Sequence, residues 1–177
     1  GTRVRKNHTS KRGAFQTIGN DPAFLIVENK VQRNMKRNFF KDSEFVPKIK
    51  INQKVALVKY YPGYNPDLLK NLIDSGFRAI IFEGTGLGHI GENMYPIVKM
   101  ANEKGIFMGM TSQCIDGRVR MTVYESGRDL LNLGIIPLEN MIPEIALVKA
   151  MWVTGNTEKF DEIKDNMLKE IASEFST

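Results

Sequence analysis

A chain of 177 residues with 42% hydrophobic and 25% charged content is too apolar to stay unfolded and long enough to bury a core. It holds no run of eighteen apolar residues, so no membrane span is expected, and its basic opening, Gly1 to Lys6, lacks the apolar stretch of a secretory signal. The single cysteine, Cys114, has no internal disulfide partner, which fits a reducing cytoplasm. The net charge of +5 is unevenly spread: residues 1–54 hold 13 Lys or Arg against 4 acids, and residues 55–177 hold 12 against 16. A basic front segment draws anions, nucleic acid among them, by long-range potential; scattered as these cations are, it also fits a solvated connector. Opening without Met, the first residues read as mid-sequence.

In chain order, Phe24 to Val31 is apolar on either side of Glu28-Asn29-Lys30 and predicts a hairpin with a polar turn. Arg33 to Lys54 is polar and basic, anchored only at Phe39-Phe40, Phe45-Val46 and Ile49 to Ile51, and reads as a linker with an edge strand. From Val55 the pattern alternates between short apolar runs and amphipathic helices, the mark of parallel strands joined by crossovers. The runs are Val55 to Val58, Ala79 to Phe82, Ile106 to Met110 and Ile135-Ile136; being continuously apolar, they suit a sheet covered on both faces. Between them, Asn65 and Pro66 open a helix that Gly76 ends, Glu92 to Lys104 forms a second closed by Gly105, and Leu130, Leu131 and Leu133 load a third before Gly134. Two more helices are expected, Ile142 to Val153 with Pro143 in its first turn, and Thr157 to Phe175 capped by Thr157. The expected architecture is therefore α/β: a small parallel sheet of about four strands flanked by helices over residues 55–177, preceded by a hairpin and linker in residues 1–54.

Gly86, Gly88 and Gly91 fit the spacing G-x-G-x-x-G directly after a strand, where glycines let the backbone approach a ligand. The next strand runs into Thr111-Ser112-Gln113 without the acid that a ribose would need, so close approach of another polypeptide is the other reading. Cys114 and His89 follow strand ends on one rim and could pair as thiol and base, or serve only packing. With His8 the only other histidine, no cluster has metal-ligand spacing. Lys6 is either one more surface lysine or, if buried beside a hydroxyl, a general base or charge stabiliser.

Arg3 to Ser10, Phe82 to His89 and Thr111 to Cys114, with Tyr61-Pro62-Gly63, Gly117-Arg118-Val119, Ser126 to Leu130 and Pro143 to Lys149, together resemble the asparaginase-like family, most of all the D subunits of the archaeal glutamyl-tRNA(Gln) amidotransferases. The resemblance implies a two-domain amide-hydrolysing enzyme, of which this chain is the C-terminal part: residues 1–54 the tail of the catalytic N-terminal domain, residues 55–177 the C-terminal domain. It implies two catalytic threonines, an aspartate and a lysine, the lysine matching Lys6 within V-x-K-x-x-T. The threonine segments T-G-G-T and G-T-D-T do not occur here, so this length alone is expected to be inactive.

The resemblance further implies ammonia release from glutamine or asparagine for conversion of Glu-tRNA(Gln) to Gln-tRNA(Gln). A homodimer is implied, and as partners the tRNA-binding E subunits of these amidotransferases. Contact with tRNA is mainly through that partner, and ATP and Mg belong to it, with no cofactor in this chain. Where bacterial asparaginases lend an Asn to a neighbouring site from a G-x-G-N loop, this sequence has Leu87; Thr85 and His89, and more weakly Ser112 and Gln113, are the candidates for substrate or inter-subunit contact. A fragment of a free L-asparaginase and a non-enzymatic flavodoxin-like module using the glycine loop are the competing expectations.

Overall fold

The computed structural model describes residues 2–34 and 46–175. Its centre is a parallel sheet of four strands in sequential order: β5 (Val55–Lys59), β6 (Ala79–Gly84), β7 (Phe107–Ser112) and β8 (Ile136–Pro137). Because side chains alternate across a strand, β6 feeds two cores. Ile80 and Phe82 pack with Leu69, Ile73, Val98, Ala101 and Leu130 from α1 (Pro66–Asp74), α2 (Tyr95–Glu103) and α3 (Glu125–Asn132). Ala79 and Ile81 face Ala146, Ala150, Val153, Ile163 and Met167 from α4 (Pro143–Asn156) and α5 (Phe160–Leu168). The three helices of the β-α-β crossovers thus lie together on one face, as same-handed crossovers in a sequentially ordered sheet require, and the last two helices cover the other. Asn65 Oδ1 accepts from the Asp67 N–H at 2.9 Å, with Pro66 opening α1, as the sequence leads one to expect.

The C-terminal helix is shorter than expected. Thr157, extended at φ −145°, ends α4; α5 begins at Phe160 without a side-chain cap and stops at Leu168. Ile171 and Phe175 continue an apolar rhythm, but their segment folds back. The Glu174 carboxylate accepts from the N–H groups of Ile171 and Ala172 at 2.9 and 2.6 Å and meets the Lys149 ammonium of α4, which lies 5.2 Å from the Phe175 ring centroid.

The front segment holds two antiparallel pairs. β3 (Phe24–Val27) and β4 (Lys30–Arg33) form the expected hairpin, with Glu28 and Asn29 at φ 49° and 62°, the left-handed pair that a two-residue hairpin turn needs. The other pair, β1 (Val4–Lys6) and β2 (Phe15–Thr17), has no counterpart among the expected elements. It is fastened to the α/β body by Arg3, which is 6% exposed. Arg3 Nε donates to the Ile18 carbonyl at 2.8 Å and Nη1 to the carbonyls of Asn140 and Glu174 at 2.9 and 2.6 Å. The expected linker anchors Phe39-Phe40 and Phe45 lie outside the described residues. Residues 46–54 hold no edge strand; they run along α4 instead, with Trp152 Nε1 donating to the Lys48 carbonyl at 2.8 Å and the Asn52 N–H to that of Met151 at 2.9 Å. Helix α4 supplies those partners, so the backbone has no need of a sheet neighbour. Among the described residues no helix is long and apolar enough to cross a membrane.

Candidate active site

The glycine loop leaves β6 and closes on itself. The Thr85 N–H donates to the His89 carbonyl at 2.9 Å, the N–H groups of Gly88 and His89 both donate to the Thr85 carbonyl at 3.0 Å, and Thr85 Oγ1 donates to the His89 carbonyl at 3.2 Å. Gly86 and Gly88 hold the left-handed conformations of the turn, φ 50° and 100°, and a Cβ on Gly88 would sit 2.9 Å from Met110 Cγ. Those amide groups are thus committed inside the loop rather than presented to a phosphate. Gly91 leads into a three-residue 3-10 turn before α2 starts at Tyr95, so the G-x-G-x-x-G spacing does not deliver a helix N-terminus to an anion.

The rim of β7 braces this loop. Ser112 Oγ donates to the Gly86 carbonyl at 2.6 Å and accepts from the Cys114 N–H at 3.0 Å. The Gln113 side-chain amide donates to the carbonyls of Tyr60 and Glu83, the latter at 2.9 Å, which ties the ends of β5, β6 and β7 together. The Ser112 hydroxyl and the Gln113 side-chain NH2 are thus both engaged with the main chain. His89 lies edge-on to Tyr124, ring centroids 5.5 Å apart, and its two ring nitrogens are buried without a hydrogen-bond partner among the described residues. Cys114 is exposed. Thr85, His89, Ser112 and Gln113 therefore belong to one rim, at the C-terminal ends of β6 and β7. Beside it is a cleft of about 500 Å³ whose lining includes Gly86, Leu87, Ser112, Cys114, Arg118 and Arg120. The two arginines are not among the site residues expected from sequence; the R-x-R spacing in the loop between β7 and α3 was the available signal. Arg118 also reaches the Glu139 carboxylate at 3.4 Å.

Lys6 lies elsewhere. It is exposed on β1, opposite Phe15 in register, with Nζ 5.7 Å from the centre of the Phe15 ring. It lines a separate cleft of about 370 Å³ with Thr9, Ser10, Lys11, Gly13 and Phe15. His8 Nδ1 shapes that cleft by accepting from the N–H groups of Ser10 and Lys11 at 3.1 and 3.0 Å. Within this chain Lys6 and the rim line different cavities. Among the described residues no three His, Cys, Asp or Glu side chains gather as a metal site would require.

Residues 54–167 match the family model described as the Glutaminase/Asparaginase C-terminal domain. The chain also aligns with the D subunits of two glutamyl-tRNA(Gln) amidotransferases. That of Sulfolobus acidocaldarius is 46% identical over 178 aligned residues, covering 99% of this chain and 40% of that protein. That of Pyrococcus abyssi is 44% identical, with 99% and 41% covered. Among solved structures, the thermostable L-asparaginase from Thermococcus kodakarensis superposes with a TM-score of 0.89 at 30% identity, covering 99% of this chain and 54% of that one. L-asparaginase I from Vibrio cholerae shares the fold, with a TM-score of 0.87 at 24% identity. The chain thus spans about two-fifths of the curated relatives it matches, and its sequence, sheet order and domain match place it in the asparaginase-like family of amidohydrolases, whose C-terminal domain it carries.

Proposed function

We propose that this chain is the C-terminal part of an amidotransferase subunit that hydrolyses the side-chain amide of glutamine or asparagine and passes the ammonia to a tRNA-binding partner subunit, for conversion of Glu-tRNA(Gln) to Gln-tRNA(Gln). The observation that carries this reading is the 46% identity, sustained across 99% of the chain, to a protein named among the D subunits of such amidotransferases. Residues 1–54 are then the end of the catalytic domain and residues 55–177 the C-terminal domain. The nucleophilic threonines come from sequence outside this chain, and ATP and Mg act on the partner subunit.

Lys6 is the cation of the catalytic machinery, helping to activate a threonine hydroxyl for attack on the amide carbon. What supports that role is the V-x-K-x-x-T match at Lys6 within an alignment that spans 99% of the chain; Lys6 is exposed on β1, so the burial that would tune it has to come from the rest of the catalytic domain. Thr85, His89, Ser112 and Gln113 form a rim suited to contact with a second copy, Thr85 and His89 through the loop and Ser112 and Gln113 by bracing it.

Lys6→Ala in the intact subunit, assayed with its partner, is expected to cut glutamine- or asparagine-dependent ammonia release by about 10²- to 10⁴-fold, the usual worth of a positioned proton-transfer group, with an unchanged melting temperature. Retained turnover removes Lys6 from the machinery. A free L-asparaginase is the second reading, favoured by the superposition on the Thermococcus enzyme. It is distinguished by release of ammonia from free asparagine at full rate without partner subunit or tRNA.

A further inference from the structure

We propose that Arg5 and Glu144 are positioning residues for Lys6: an ion pair reaching from the first turn of α4 to β1 that fixes the direction in which the Lys6 ammonium points. The inference rests on the reading of Lys6 as the catalytic cation and asks what holds that cation in place.

Within this chain β1 is three residues long and pairs with one short strand, an arrangement with little stability of its own. Its side chains alternate. Arg5 turns toward the α/β body, where Nη2 meets Glu144 Oε2 at 2.8 Å, while Val4 and Lys6 share the opposite face. On that outer face Lys6 has the Phe15 ring opposite it in register, and both side chains are exposed. An exposed cation–ring contact is too weak to set an orientation alone, so the strand's facing must be fixed from the other side.

Two groups do so. Arg3 is bound to three carbonyls and pins the start of the strand; Arg5, the immediate neighbour of Lys6, sets its rotation. Slipping β1 by one residue would swing Lys6 inward and carry Arg5 away from its acid, because a shift of one residue exchanges the two faces. Glu144 suits the task. Half of the Glu144 side chain is exposed; partial desolvation pushes its carboxyl up, but the hydrogen bond from Arg5 and its own backbone amide outweigh this and hold it below the usual carboxylate value. Its place in the first turn of α4 sets the carboxylate against the positive end of that helix. The C-terminal domain would thereby contribute to amide hydrolysis without touching substrate.

The test uses the intact subunit in complex with its partner and two readouts: steady-state ammonia release, and the rate at which the Lys6 amine is acylated by a lysine-specific reagent, followed by peptide mass spectrometry across pH. Arg5→Ala and Glu144→Gln are each expected to lower kcat by about 10- to 100-fold, the scale of a small misplacement of a reacting group, with KM within about 2-fold. Both should shift the pH profile of Lys6 acylation. Arg5→Lys, which keeps the charge and the fold, should recover most of kcat, as should the exchanged pair Arg5→Glu with Glu144→Arg.

An acylation profile in Arg5→Ala identical to the parent's overturns the proposal, whether kcat is kept or lost, since a fall in kcat alone would then reflect general disruption. Lys6→Ala separates the two levels. If that variant keeps turnover, the catalytic reading of Lys6 fails while the acylation shift still decides whether Arg5 orients it.

Discussion

A carboxylate with 4% of its side-chain surface exposed, such as that of Glu174, survives ionised only if its surroundings replace the lost water. Burial pushes its carboxyl up, but the Lys149 ammonium and the N–H groups of Ala172 and Ile171 outweigh that and hold it below the ordinary value of 4.5. A carboxyl that is more acidic folded than unfolded adds stability that is complete above its unfolded value and is lost as the pH falls through its folded one. The melting temperature should therefore fall on acidification below about pH 4.5, and the fall should be shallower in Glu174→Gln, where this group no longer titrates; equal slopes would detach the pair from acid stability. At neutral pH Glu174→Gln leaves a buried ammonium without its counter-charge, which costs roughly 3–5 kcal/mol and should be read directly in a denaturant midpoint. The consequence extends past the tail, because the Glu174 carbonyl is one of the three that Arg3 grips. Residues 171–175 hold the start of the strand that carries Lys6.

Helix α4 is the element on which the molecule is joined up. One side faces the sheet, Lys149 receives the C-terminal tail, Glu144 receives Arg5, and the far end receives residues 48–52. Gly155 makes the last contact possible: a Cβ there would lie 2.7 Å from the Lys50 carbonyl oxygen and 3.0 Å from the Asn52 nitrogen, backbone atoms that cannot swing aside. Two effects of Gly155→Ala oppose each other. Helix propensity favours alanine by about 1 kcal/mol, whereas forcing a methyl group into a filled space costs about 1–3 kcal/mol. With backbone on the receiving side the clash should win, and the melting temperature should fall; a rise would mean that residues 48–52 are not held against the helix.

The same helix marks how far the sequence could be read. Pro143 and the apolar run after it announce α4, just as Asn65-Pro66 announces α1 and the four apolar runs announce the sheet, because each of these signals is local. The β1–β2 pair carries none: Val4-Arg5-Lys6 and Phe15-Gln16-Thr17 lack a continuous apolar pattern, and Arg3 finds two of its carbonyls 137 and 171 residues away. The tail fails for the same reason, since its helical rhythm yields to a distant lysine. At the rim, strand ends made Ser112 and Gln113 legible as positions. That their polar groups would bind main chain rather than face outward depended on how three strands end side by side.

At the scale of the whole molecule, the front segment presents an apolar surface that the other described residues leave exposed. Along β3 both faces of the strand are apolar, Phe24 and Ile26 on one and Leu25 and Val27 on the other, and all four are exposed. Ile26 and Val31, opposite each other in register, are 78% and 69% exposed. A two-stranded hairpin has little stability of its own, and fully burying one such side chain is worth about 1.5–3 kcal/mol, so association is favoured wherever a surface can be found. On the proposed reading, the rest of the catalytic domain to which residues 1–54 belong is the natural cover. In the chain alone, other copies are what is available, and the open edges of the hairpin invite strand pairing. Purified material of this length should self-associate with rising concentration in sedimentation velocity. Ile26→Thr with Val31→Thr keeps β-branched residues suited to the strand while removing apolar surface at the cross-strand pair, and should move the distribution toward monomer. The melting temperature should hold, because neither side chain belongs to the two cores that flank the sheet. Association that persists in the double variant would shift the contact to the rim, where Thr85, His89 and the loop braced by Ser112 and Gln113 would be the surface through which two copies meet.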